Sequence, residues 1–172
     1  METLRAIVTR RRTEKFKPKP DSISEDMRTD LLRSAMSAPS EGRKKPWHFV
    51  VIEDDKRLRD LIDLLRQPDS LNEAAMSVVV CADGVLQEHM GHWAIDCAAA
   101  TENLILAAHG KGLGSTWTRI FPSKSRMKHV AGFLGVPDHV TPFSAVFLGP
   151  PAKPLGKRAT SFQEEHVHSD VW

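Results

Sequence analysis

Hydrophobic positions follow two rhythms along this chain. In the stretches 3–12, 24–37, 54–65, 93–110 and 123–134 they recur every three or four residues, the spacing of one helix face. Leu4, Ile7 and Val8 mark the first stretch. Met27, Leu31, Leu32 and Ala35 mark the second, which Ser22 or Ser24 can cap and Pro39 stops. In 47–52 (WHFVVI), 76–82 (MSVVVCA), 115–117 and 143–148 (FSAVFL), apolar and β-branched residues run together and read as strands. The 76–82 run is continuously apolar, which places it centrally in the sheet. The 93–110 helix has little polar face, with Ala94, Ile95, Ala98, Ala99, Ala100, Leu104, Ile105, Leu106, Ala107 and Ala108 spread around it. Such a helix is buried on most sides. A partner chain is the simplest cover for what one small chain leaves open. The pattern predicts an α/β-type layering, about four strands with helices on both sides. Residues 150–172 carry three prolines and little periodicity, with apolar Phe162, Val167, Val171 and Trp172. They read as an extended arm packed on another surface, such as a second subunit.

Composition narrows the class without choosing a function. The chain has 172 residues, 41% hydrophobic and 27% charged, enough for one domain spanning 1–172 with a real core. A formal net charge of +2 gives no global field pointing to nucleic acid or a membrane surface. No apolar run is long enough for a membrane span, and the N-terminal apolar stretch is too short for a signal peptide. Cys81 and Cys97 make no disulfide framework, so a reducing cytoplasm is expected. The absence of tyrosine removes phenolic acids from any mechanism.

Four groups of residues could carry chemistry. Arg10, Arg11 and Arg12 can surround an anion through bidentate contacts, or simply close a solvated helix end. The basic loop 39–46 (PSEGRKKP) enters a strand at Trp47. It suits an anionic or electron-rich ring, or is a surface loop anchored by that tryptophan. Residues 112–119 (GLGSTWTR) have glycines that let backbone approach a flat ligand, and they also suit a helix cap and turn. They follow a helix, so they are not a Rossmann fingerprint. Cys81, His89, His92 and Cys97 match no zinc spacing, and no metal is expected. No nucleophile elbow, P-loop or His-Glu-x-x-His motif is present, which leaves hydrolysis without a handle.

Taken in order, these segments resemble the nitroreductase family over nearly the whole chain. Residues 10–16 (RRRTEKF) are similar to its opening Arg-Arg-Ser-x-x-x-Phe stretch. Residues 38–49 (APSEGRKKPWHF) resemble its Ala-Pro-Ser-x-x-Asn-x-Gln-Pro-Trp-x-Phe loop and strand. Residues 96–117 are similar to its central helix and Gly-Leu-Gly-x-x-Trp turn, and 148–151 (LGPP) and 167–172 to its closing segments.

The resemblance implies an α+β fold with a mainly antiparallel sheet of about four to five strands flanked by helices. It implies a homodimer with an exchanged C-terminal arm at 150–172. It also implies FMN at the dimer interface, NADH or NADPH as electron donor, and a ping-pong exchange with a nitroaromatic, quinone or related small-molecule acceptor. No catalytic side chain is implied, because the flavin carries the chemistry. Carried over, Arg10, Arg11 and Arg12 hold the FMN phosphate and ribityl chain, with Arg158 a second phosphate cation and Lys157 a weaker one. Pro39 and Ser40 come from the partner and line the flavin ring. Thr116, Trp117, Thr118 and Arg119 run beside the flavin. Three departures stand out: Arg12 replaces a usual serine, Arg43 and Lys45 replace an asparagine and a glutamine, and Thr118-Arg119 replaces a common glycine pair. Cations at 43 and 45 would favour anionic reduced flavin. Two other readings fit the same fold: a flavin-binding sensor or carrier without efficient turnover, and a specialised dehalogenase or flavin-fragmenting enzyme. The short stretch between Cys81 and Trp93 predicts an open pocket without a large lid.

Overall fold

The computed structural model describes residues 3–18, 23–154 and 162–172. Five α-helices and four strands occur in the order α1 (Thr3–Thr9), α2 (Glu25–Met36), β1 (Trp47–Ile52), α3 (Asp55–Leu64), β2 (Met76–Asp83), α4 (Met90–Gly110), β3 (Gly114–Arg119), α5 (Lys124–Leu134) and β4 (Val140–Gly149). The sheet runs β1-β2-β4-β3 and every neighbouring pair is antiparallel.

α2, α3 and α5 start where the sequence supplies a side-chain oxygen for the orphan N–H groups. The Met27 N–H donates to Ser24 Oγ at 3.3 Å, so Ser24 caps α2. Asp54 caps α3 through the Arg57 N–H at 2.9 Å. Left-handed Gly135 ends α5.

The sheet is covered on both faces, as the unbroken apolar run of β2 requires. All of β2 is buried. Val78, Val80 and Ala82 point toward α2 and α4, while Val79 and Cys81 point toward α3 and α5, the alternation of a pleated strand. β4 is longer than the apolar run 143–148 suggests and contains Pro142. The proline is accommodated beside a register shift at Val80/Cys81, a common place for a residue that cannot donate to the ladder. Phe143, next to that shift, meets Trp93 edge-on at 6.4 Å and Phe121 at 6.0 Å.

Two further differences bear on the site. α1 ends at Thr9, not at residue 12, and the chain runs extended past β3. Backbone pairing with Ser115 is available there, which helix continuation would forfeit. α4 is less enclosed than its composition suggests: Met90 and Ile95 are exposed, as are Leu4, Ile7 and Val8 of α1. The 162–172 segment is also exposed, including Phe162, Val167, Val171 and Trp172, with Trp172 stacked on His168 at 4.3 Å. Among the described residues, no helix is long and apolar enough to cross a membrane.

Candidate functional site

The arginine run is fixed by two different elements. The Arg10 guanidinium turns to α4 and pairs with Glu102 at 3.1 Å. Arg12 forms a parallel bridge with Ser115 at the start of β3. Thr13 then fastens the segment. Its N–H donates to the Ser115 carbonyl at 2.8 Å, its Oγ1 accepts from the Ser115 N–H at 3.0 Å, and its carbonyl accepts from the Thr116 hydroxyl. Gly114 makes this approach possible. A Cβ there would lie 2.8 Å from Thr13 Cγ2 and 3.0 Å from Thr13 Cβ. Farther on, the Lys17 N–H donates to the Pro150 carbonyl at 2.8 Å and the Ala152 N–H to the Lys15 carbonyl at 3.0 Å. Between these two stitched segments lies a cleft of about 460 Å³ lined by Arg11, Arg12, Thr13, Glu14, Lys15 and residues 151–154, with Lys153 among them.

His109 supports the approach to this run from α4. Thr9 Oγ1 donates to the Arg5 carbonyl at 2.5 Å and therefore accepts from His109 Nε2 at 2.9 Å. His109 Nδ1 is buried without a hydrogen-bond partner among the described residues. Burial, and then the charge of Arg10, hold this imidazole below its ordinary value of 6.5.

β3 separates its side chains by face. Thr116 and Thr118 are buried, and Thr118 donates to Gln67 Oε1 at 3.0 Å. Trp117 faces α4, and its Nε1 is buried without a partner among the described residues. Arg119 is exposed, and its carbonyl accepts from Arg126 at 2.9 Å.

The basic loop sits at the other end of α4. Its 3-10 turn, Glu41–Arg43, is held by Asp96, whose carboxylate accepts from the Glu41 N–H at 3.1 and 3.3 Å. Ser40 ties the turn twice: its carbonyl accepts from the Arg43 N–H at 3.1 Å and its Oγ from the Lys45 N–H at 3.0 Å. Gly42, Arg43 and Lys45 have φ of +58°, +56° and +49°, the left-handed region that disfavours side chains. Pro39 is exposed and Ser40 half-buried, while Trp47 is the core anchor. Asp96 and His109 are thirteen residues apart on α4, about 20 Å at the helical rise. None of residues 39–46 is among those lining the arginine cleft.

The Nitroreductase family profile matches residues 7–94 and 69–149. The chain belongs to the nitroreductase family. A relative from Archaeoglobus fulgidus, provisionally named NADH dehydrogenase/NAD(P)H nitroreductase, is 36% identical over 174 residues, covering 99% of both chains. A Bacillus subtilis protein named FMN reductase (NADPH) is 24% identical over 160 residues, covering 83% of this chain and 64% of its own. A crystal structure from Parabacteroides distasonis, again provisionally named NADH dehydrogenase/NAD(P)H nitroreductase, superposes with a TM-score of 0.91 at 30% identity, covering 99% and 98% of the chains.

On this nitroreductase fold, the residues singled out from sequence form two groups, the arginine cleft with β3 and the 39–46 loop. Arg158 and Lys157 lie outside the described residues. Sequence reasoning missed Thr13, His109 and Asp96 as organisers of these groups, and it assigned the close approach at Gly114 to a flat ligand where the structure shows Thr13. It also missed Asp83, which ties the loop to β2: its N–H donates to the Pro46 carbonyl at 2.7 Å. Burial pushes the Asp83 carboxyl up. The His48 contact at 3.1 Å, the Val85 and Leu86 N–H groups, and the charge of His139 outweigh burial and hold the carboxyl below its ordinary range. Cys81 and Cys97 are buried, which pushes both thiols up to about 12. Among the described residues no cluster of His, Cys, Asp or Glu could hold a metal.

Proposed function

We propose that this chain is an FMN-dependent oxidoreductase that uses NADH or NADPH to reduce nitroaromatic, quinone or related acceptors in a two-electron ping-pong cycle. It works as a homodimer in the cytoplasm. The observation that carries this reading is the arginine cleft clamped to β3 by Thr13 within a nitroreductase fold.

The donor set fits FMN. A phosphate dianion needs guanidinium and ammonium donors, and Arg11, Arg12, Lys15 and Lys153 line one cleft. Arg10 spends its Nε on Glu102, so it supports the field at the cleft more than it grips. Arg158 would add a cation from the C-terminal arm. The buried Trp117 Nε1, without a partner among the described residues, is a donor available on β3. Thr116 and Thr118 spend their hydroxyls inside the protein and so shape the strand. FMN, when bound, supplies the two-electron chemistry, and the protein supplies position, field and a dry surface.

The placing of the 39–46 loop outside the cleft lining supports the dimer reading. A two-fold axis across the exposed side of α4 would bring Pro39, Ser40, Arg43 and Lys45 of one protomer toward the arginine cleft of its partner. It would also cover Ile95 and the apolar positions of α1, and give the 150–172 arm a surface to cross.

Initial rates at several fixed donor concentrations, with sedimentation and FMN content measured on the same preparation, test the proposal. A dimer with one FMN per chain and parallel double-reciprocal lines is expected. A flavin-free monomer, or intersecting lines, overturns it.

A further inference from the structure

The 41–45 turn holds three of its five residues in left-handed conformations, two of them bearing long side chains. Backbone of this kind persists where its surroundings over-determine it, and it concentrates at functional sites. Here Asp96, Ser40 and Glu41 supply four separate acceptors for the turn's N–H groups. The result is that Arg43 and Lys45 are thrust outward. Both are exposed, and neither side chain has an ion pair or hydrogen bond among the described residues. Lys44, by contrast, folds back toward Gln87 Oε1 at 3.5 Å. That contact, with the Asp83–Pro46 bond, joins the turn to the segment leading into α4. That segment exposes Val85, Leu86 and Met90. Two cations without an ion pair among the described residues therefore stand in a turn that is joined, through Lys44 and Pro46, to an exposed apolar lip. Glu41 in the turn and Glu88 on the lip are the acids of these segments, and both are exposed to solvent.

We propose that Arg43 and Lys45 are specificity-determining residues of the acceptor site, selecting a flat aromatic acceptor that carries a carboxylate or sulfonate. The apolar lip takes the ring and the cations take the anion. This rests on the flavin reading above. With a nitroaryl carboxylate, one NAD(P)H and one proton reduce the nitro group to nitroso, releasing NAD(P)+ and water. The carboxylate is unchanged and serves only for recognition.

The test compares para-nitrobenzoate with para-nitrobenzyl alcohol, a neutral ring of similar size, in the FMN-loaded protein. The readout is the ratio of their kcat/KM values in wild type, in Arg43→Asn/Lys45→Gln and in Arg43→Glu. Asparagine tolerates the left-handed region, which guards the fold. A second readout, without electron donor, is benzoate affinity from the perturbed visible absorption of the bound flavin. The flavin midpoint potential is measured alongside. The ratio should favour the carboxylate in wild type and fall about tenfold in the double variant, the scale of two exposed charge contacts. It should fall further in Arg43→Glu, and benzoate affinity should drop in parallel. A ratio and affinity that ignore both substitutions, with a shifted flavin potential, would assign the cations to the flavin and overturn the proposal. A protein that takes up no FMN removes the flavin reading and this one together. A turning-over flavoprotein blind to acceptor charge removes this one alone.

Discussion

Gly114→Ala puts a single methyl group at the joint between the arginine segment and β3. The added carbon would stand 2.8 Å from Thr13 Cγ2 and 3.0 Å from Thr13 Cβ, closer than carbon atoms pack. Thr13 is buried, so its side chain cannot swing out to solvent. Either the threonine changes rotamer and gives up the Ser115 N–H, or residues 10–13 move away from β3. Overpacking of this kind costs about 1–3 kcal/mol, and a buried hydrogen bond lost with it adds about 1. A total of about 2–4 kcal/mol lowers the melting temperature by roughly 5–15 °C for a chain of this length. Thermal unfolding of the FMN-free protein, at fixed protein concentration, reads the stability term without ligand linkage. FMN titration reads the site, where affinity should fall about tenfold or more because Arg11 and Arg12 ride on the displaced segment. Adding Thr13→Ala should give a double variant less damaged than the sum of the single ones, since the two changes share one contact. A Gly114→Ala protein that melts with wild type and binds FMN equally well would refute the reasoning.

Other consequences follow from the same geometry. Arg12→Ala should weaken FMN about 10- to 100-fold, the loss of a charge-assisted contact, while riboflavin, which lacks the phosphate, binds as before. His109 has its folded value below the ordinary 6.5, so the folded state takes up the proton later than the unfolded chain. Its contribution to stability is therefore full above that pH and is lost as pH falls below it. His109→Gln should flatten unfolding free energy over that window, and an unchanged slope would remove His109 from the account. Cys81 and Cys97, with thiols near 12, should resist a thiol reagent in the native protein and react only in denaturant.

The fold was legible where one physical rule governed a whole segment. The continuous apolar run of β2 announced burial on both faces, and Ser24, Asp54 and Gly135 sit where helix ends need them. Local rules failed where tertiary pairing decided. Residues 10–12 continue a helical pattern, but the hydrogen bonds offered by Ser115, far along the chain, draw them into an extended strand-like path. The apolar run 143–148 did not show that the strand begins at Val140 and passes through Pro142, which the register shift in the sheet accommodates. At the site, the charges were visible as residue types, while their division was not. Nothing in the run Arg10-Arg11-Arg12 says that the first turns to Glu102 and that the other two line the cleft. The left-handed backbone at Arg43 and Lys45 was equally hidden, since these residue types seldom adopt it. His109 carries no signal in the sequence, and only its contact with Thr9 places it behind the arginine segment.

The most direct test of the central claim is an anaerobic absorbance spectrum of the protein with FMN, taken before and after NADPH or NADH and again after a nitroaromatic or quinone. Bands near ~450 nm that bleach with a nicotinamide donor and return with the acceptor are predicted for a flavin oxidoreductase. A colourless protein that takes up no FMN, or a bound flavin that neither donor bleaches, would contradict it.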